Sequence, residues 1–102
     1  MPNPFPGLFD LTYSKDPSIV ARQIAGEMLL VPIRQHVGDL ESIYLLNETA
    51  LFVWQMLDGA HNLGDICNLV TQEFEVDEHQ AGQDLIELVA DLERVGAVVK
   101  AG

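Results

Sequence analysis

The sequence predicts an α+β domain in which a small three-stranded antiparallel sheet packs on three helices. Two observations support this prediction. The first half of the 102-residue chain holds three short β-favouring segments. Its second half holds apolar stretches of helical period, each preceded by an Asn or Asp that can cap a helix. A hydrophobic share of 48% suffices for one modest core.

The predicted sheet consists of a hairpin and one further strand. Residues 19–24 alternate as a strand does, Ala25-Gly26 marks a turn, and residues 27–33 form the second strand. Residues 34–41 are a polar loop broken by Gly38, and the apolar run 43–46 supplies the third strand.

The first two predicted helices begin at asparagines. After Asn47, apolar residues recur at i, i+3, i+4 and i+7, and Asp58-Gly59 supplies the stop. The second helix begins at Asn62 and keeps one apolar face as far as Phe74. Trp54 and Cys67 lie on these faces, which favours a place in the core for both.

The third predicted helix has two apolar stripes. It begins after Asp77 and runs to about Val95. One stripe is a narrow seam that suits the core: Ala81, Leu85, Leu88, Leu92 and Val95. The other, Ile86 and Val89 beside Gly82, lies further around the axis, so either the sheet covers it or something else does.

Residues 1–18 form a proline-rich arm ahead of a domain that spans residues 19–102. We expect this arm to be extended and loosely attached. Because it holds two phenylalanines, two leucines and a tyrosine, it packs on its own domain, on a second copy in a homodimer, or on a partner. At the other end of the chain, residues 97–100 either add a strand or close the domain.

Charge and composition exclude several classes of partner and predict a cytoplasmic protein. The formal net charge is −11, and the five basic residues are scattered, so nucleic acid is not an expected partner. No run approaches the roughly 20 apolar residues of a membrane span, and the first ten residues lack the pattern of a signal peptide. The charge fits a basic partner surface.

Residues with catalytic or metal-binding spacing are missing from the sequence. The three histidines have no i, i+4 pairing, the lone Cys67 has no second cysteine for zinc, and no glycine-rich loop suits a phosphate. The serines lack a glycine elbow, and the carboxylates of residues 73–78 are typical of solvated helix ends. We expect a protein that is not an enzyme and that binds neither metal nor cofactor.

The sequence resembles the PqqD family over roughly residues 20–99, through the Tyr-x-Leu-Asn run at 44–47, the Trp of the next helix and the closing Asp-Gly. That resemblance implies a winged-helix-like RiPP recognition element, a peptide chaperone. Such a chaperone binds the leader of a ribosomally made precursor peptide and presents it to a radical SAM enzyme, as in pyrroloquinoline quinone biosynthesis. A strand at a sheet edge has free backbone groups that an incoming peptide can pair with. Carried over to this chain, the resemblance places the peptide on six residues: Ile43, Tyr44, Leu45, Gly82, Ile86 and Val89.

Two alternatives from other classes stay open. A winged-helix DNA-binding regulator has a similar set of elements, although its recognition helix normally presents cations that the third helix here lacks apart from Arg94. An interaction or dimerisation module, in which the apolar arm fills the groove of its own or a neighbouring copy, is compatible with peptide binding.

Overall fold

The computed structural model of the chain describes residues 7–33 and 44–101. The elements follow in the order β1 (Thr12–Lys15), β2 (Ile19–Ile24), β3 (Glu27–Pro32), β4 (Tyr44–Leu46), α1 (Glu48–Met56), β5 (Asp58–Asn62), α2 (Leu63–Phe74), α3 (Glu78–Arg94) and β6 (Val98–Lys100). The predicted α+β class with three helices and a small antiparallel sheet is confirmed. Of the helices in the described residues, none combines the length and the apolar character that crossing a membrane requires.

The predicted sheet is present, with the strand order β2-β3-β4. Strands β2 and β3 pair from Ile19 opposite Pro32 to Ile24 opposite Glu27. Ala25 and Gly26 both have positive φ, as the two-residue turn of a tight hairpin requires. Strand β4 pairs antiparallel with β3. The predicted loop at 34–41 and the first residue of the predicted third strand, Ile43, lie outside the described residues.

The three predicted caps fix the starts of the helices. Asn47, Asn62 and Asp77 each accept a hydrogen bond through a side-chain oxygen from the backbone N–H three residues later, at 2.8 Å in every case. Each bond satisfies one of the N–H groups that have no partner within the helix. These local motifs explain why the helix starts were predicted correctly.

A second three-stranded sheet, in the order β5-β1-β6, was not predicted. Its central strand, β1, comes from the proposed arm. The segment before β1 is also held by backbone bonds, since Phe9 and Leu11 accept hydrogen bonds from the first N–H groups of α2 at 2.9 Å. Residues 7–18 therefore pack on their own domain, which is the first of the three arrangements considered for the arm.

The core lies between the helices and the two sheets. Its fully buried side chains come from β3, α1 and its C-cap, α2, α3 and β6: Leu30, Val53, Leu57, Ile66, Cys67, Leu92 and Val98. Trp54 is buried as expected, and the Nζ atom of Lys15 on β1 lies 5.5 Å from the centre of its ring. Phe9 and Tyr13 of the arm also belong to this core.

Strands β1 and β5 approach closely at one glycine. Gly59 on β5 has a φ of +83°, and a Cβ atom added there would lie 2.7 Å from the Oγ atom of Ser14. Both the backbone angle and the space thus favour glycine at this position.

Candidate functional site

Strand β4 lies at an edge of its sheet. It pairs with β3 on one side, and no strand of the described residues pairs with its other side. Backbone groups of alternate residues in an antiparallel strand point to opposite sides, so part of β4 directs its N–H and C=O groups away from β3. Leu45, in the middle of the strand, is 55% exposed. Such an edge is a template for pairing with another chain.

A cleft of about 420 Å³ lies between this strand and α3. Its lining residues come from β4, from the cap and first turn of α1, and from one face of α3: Tyr44, Leu45, Asn47, Thr49, Ala50, Asp84, Glu87, Leu88 and Asp91. The Tyr44 hydroxyl lies 3.4 Å from Oδ2 of Asp91 and donates to it across the cleft. Strand edge and helix therefore form the two walls of one groove.

The helix wall of the cleft is acidic. Asp84, Glu87 and Asp91 flank the single apolar residue of this wall, Leu88. Asp91 also accepts a hydrogen bond from Arg94 at 2.8 Å, and Asp84 accepts one from the side-chain amide of Gln80 at 2.9 Å. Glu87 has no hydrogen bond or ion pair within the described part of the chain.

The acidic wall also affects Tyr44. Burial raises the pKa of its hydroxyl, and the negative charge of Asp91 raises that pKa further. Tyr44 therefore stays a neutral hydrogen-bond donor at physiological pH.

Of the six residues predicted to bind a peptide, the structure places Tyr44 and Leu45 in the cleft, whereas Ile43 lies outside the described residues. The other three, Gly82, Ile86 and Val89, do not line the cleft. At about 100° per residue, Ile86 lies roughly 160° around the helix from Leu88. The α3 wall of the cleft is thus a different face of the helix from the one predicted.

The face of α3 with Ile86 and Val89 is covered by the chain itself. Both residues line a smaller cavity of about 210 Å³ together with Leu8, Leu11 and Tyr13 from the arm and β1. Val89 is only 3% exposed, and Gly82 is also buried. The second apolar stripe of α3 was therefore identified correctly as needing a cover, and at Ile86 and Val89 the amino-terminal segment with β1 supplies it.

Sequence reasoning missed Asp84, Glu87 and Asp91 because surface carboxylates are common on helices. Their spacing was a usable signal. With Leu88 they occupy positions i, i+3, i+4 and i+7, which is one continuous face of a helix. An acidic stripe around one leucine next to an exposed strand indicates a polar groove.

Catalytic chemistry has little support in the described residues. Burial and the nearby Glu78 charge raise the pKa of the Cys67 thiol, which disfavours the reactive thiolate. Residues 7–33 and 44–101 contain no group of three metal-ligating side chains close enough to share an ion. The cleft itself offers backbone pairing, charge and a few apolar contacts.

In the described part of the chain, fold and cleft together define a small α+β domain with an open strand edge beside a helix. The chain belongs to the PqqD family: residues 28–98 match the family described as "Coenzyme PQQ synthesis protein D (PqqD)". A similar solved structure is described as "Lasso peptide synthetase B1 complexed with the leader peptide". It is 28% identical, covers 85% of this chain and 96% of its own, and superimposes with a TM-score of 0.68. A comparison with curated proteins gave no match.

Proposed function

We propose that this domain binds the leader segment of a ribosomally made precursor peptide by strand addition to β4. The incoming strand occupies the cleft against α3 and pairs with the backbone groups that β4 directs away from β3. Alternate side chains of the peptide then face the helix wall. The single observation on which this rests is that, among residues 7–33 and 44–101, β4 has a free edge beside an open cleft.

Family membership and the similar structure support this proposal. The similar protein is described as complexed with a leader peptide, and it aligns over most of both chains. Within the PqqD family, the resemblance described above implies that the domain itself is not catalytic. We propose that it presents the bound precursor to a radical SAM enzyme in the cytoplasm, as in pyrroloquinoline quinone biosynthesis.

The charge of α3 disfavours the DNA-binding alternative. Its cleft face carries three carboxylates, and a recognition helix with this face would repel phosphates. As for the alternative in which the arm fills a groove of its own domain, residues 8–13 lie against the opposite side of α3 and do not line the cleft beside β4.

The test uses synthetic peptides that cover the amino-terminal halves of short peptides encoded next to the gene. Each is titrated into the ¹⁵N-labelled protein, and amide shifts are followed by NMR. We expect a binding peptide to change the amide chemical shifts of residues 44–47 and 84–91 and to leave those of β5 and β6 unchanged. Adding the neighbouring radical SAM enzyme is expected to give a ternary complex by analytical ultracentrifugation.

Two N-methylated versions of the binding peptide test strand addition directly. One version has N-methyl groups at odd positions of the bound segment and the other at even positions. Because only alternate N–H groups face the partner strand, one version is expected to lose binding and the other to keep it. Equal binding by both versions would contradict strand addition, and a failure of every neighbouring peptide to bind would contradict the proposed function.

A further inference from the structure

The helix wall of the cleft indicates the chemistry of its ligand. We infer that the segment bound beside β4 is basic, with Lys or Arg at alternate positions facing Asp84, Glu87 and Asp91. This inference rests on the proposed function. The strand edge supplies pairing that any sequence can use, whereas the acidic wall selects among sequences.

The spacing of the carboxylates fits two cations two residues apart. Asp84 and Asp91 are separated by seven residues, or about 10 Å along the helix axis. Side chains on one face of an extended peptide repeat every two residues, about 6.7 Å. One cation thus lies between Asp84 and Glu87 and the next between Glu87 and Asp91, while an apolar side chain near them contacts Leu88.

The cations of the described residues neutralise this wall only at Asp91. Lys15 lies over the ring of Trp54, and Arg94 binds the far end of the wall at Asp91 and leaves Glu87 unpaired within the described residues. Arg22 is on β2, which β3 separates from β4, and Lys100 lines the cavity on the other side of α3.

The segment that precedes β4 is also a poor source of compensating charge. Residues 34–43 contain Arg34 but also Asp39 and Glu41, so their formal charge is negative. A foreign basic strand complements the cleft better than this part of the chain does.

The experiment is a selection from a display library of random peptides of about 12 residues, long enough for one bound strand. The library is selected in parallel on the full-length chain, on an Asp84→Asn/Glu87→Gln variant and on a Glu73→Gln/Glu93→Gln control. Both variants remove two exposed carboxylates, but those of the control lie outside the cleft. The amide at position 84 can still accept the hydrogen bond from Gln80.

Peptides selected on the full-length chain and on the control are expected to be enriched in Lys and Arg at positions two apart. The pool selected on the cleft variant is expected to lack that pattern. Individual basic peptides are expected to bind the cleft variant about 3- to 10-fold more weakly at low salt, with a shallower dependence on salt. Similar enrichment of Lys and Arg on all three proteins would show that the preference comes from the overall negative charge of the chain, and it would overturn the inference.

Peptides that need the β4 edge, as judged by alternate N-methylation, but carry no excess of Lys or Arg would also overturn the inference and leave the proposed function in place. If the selection yields no peptide that responds to alternate N-methylation, the proposed strand addition fails as well. The two hypotheses are thus separated by the same set of peptides.

Discussion

Replacing Tyr13 by alanine tests whether the amino-terminal segment is part of the folded domain. Tyr13 is on the central strand of the β5-β1-β6 sheet and is only 4% exposed. A buried aromatic side chain removes about 150–250 Å² from water, which at about 25 cal/mol per Å² corresponds to an upper bound of about 4–6 kcal/mol. Measured aromatic-to-alanine changes in cores cost about 3–5 kcal/mol. We expect a loss in this range.

Urea unfolding followed by circular dichroism and by the fluorescence of Trp54 measures that loss. For a small domain with a slope of about 2 kcal/mol per M, the unfolding midpoint is expected to fall by about 2 M. The matched control is Leu8→Ala, because Leu8 belongs to the same segment but is 42% exposed; its cost is expected to stay below about 1 kcal/mol. If Tyr13→Ala costs no more than Leu8→Ala, the segment is a loosely attached arm and the reasoning from burial is refuted.

Three further perturbations test local features. Gly59→Ala is expected to lower the urea midpoint more than Gly26→Ala, since both have φ near +80° but only position 59 lacks space for a Cβ; equal losses would discount the close approach of β5 to β1. Asn47→Ala, which removes a cap, is expected to cost about 1 kcal/mol in the same assay, and an unchanged midpoint would contradict that role for its side chain. Hydrogen bonds from the backbone of Ala60 and from the side chain and backbone of His61 lower the pKa of Asp58 below its usual range. The contribution of the Asp58 carboxylate to the stability of the fold is therefore complete above the unfolded pKa of about 3.9 and is lost as pH falls further. Thermal unfolding of Asp58→Asn is therefore expected to depend less on pH below about pH 4 than that of the original chain; an equal dependence would contradict this assignment.

Elements whose formation depends on residues close to them in sequence were predictable. A capping side chain acts on an N–H three residues away, and a tight hairpin depends on its two turn residues. For this reason the helix starts and the β2–β3 hairpin were predicted correctly. Strand β5 was missed because its sequence, DGAHN, has no β-favouring residue. It forms through pairing with β1, a partner more than 40 residues away in sequence.

The candidate site was only partly predictable for the same reason. Within the described residues, the edge position of β4 follows from the order of local hairpins, and the predicted residues Tyr44 and Leu45 do line the cleft beside it. The face of α3 that borders the cleft depends on which side of the helix the chain itself covers. Helical periodicity gives the angles between side chains but not the rotation of the helix relative to distant segments. The rotation is set by packing against residues distant in sequence, among them residues 8–13 at Ile86 and Val89.

The position of the amino-terminal segment also bears on peptide specificity. Residues 8–13 occupy the apolar side of α3 at Ile86 and Val89, so β4 and the acidic face remain for a foreign strand. If the segment were removed, the helix would expose an apolar surface that attracts hydrophobic peptides without regard to charge. Under the proposed function, the intact segment would thus direct peptide binding to the cleft where the carboxylates lie. If the proposed site and its basic ligand are correct, the packing that stabilises the domain and the selection of that ligand depend on the same amino-terminal residues.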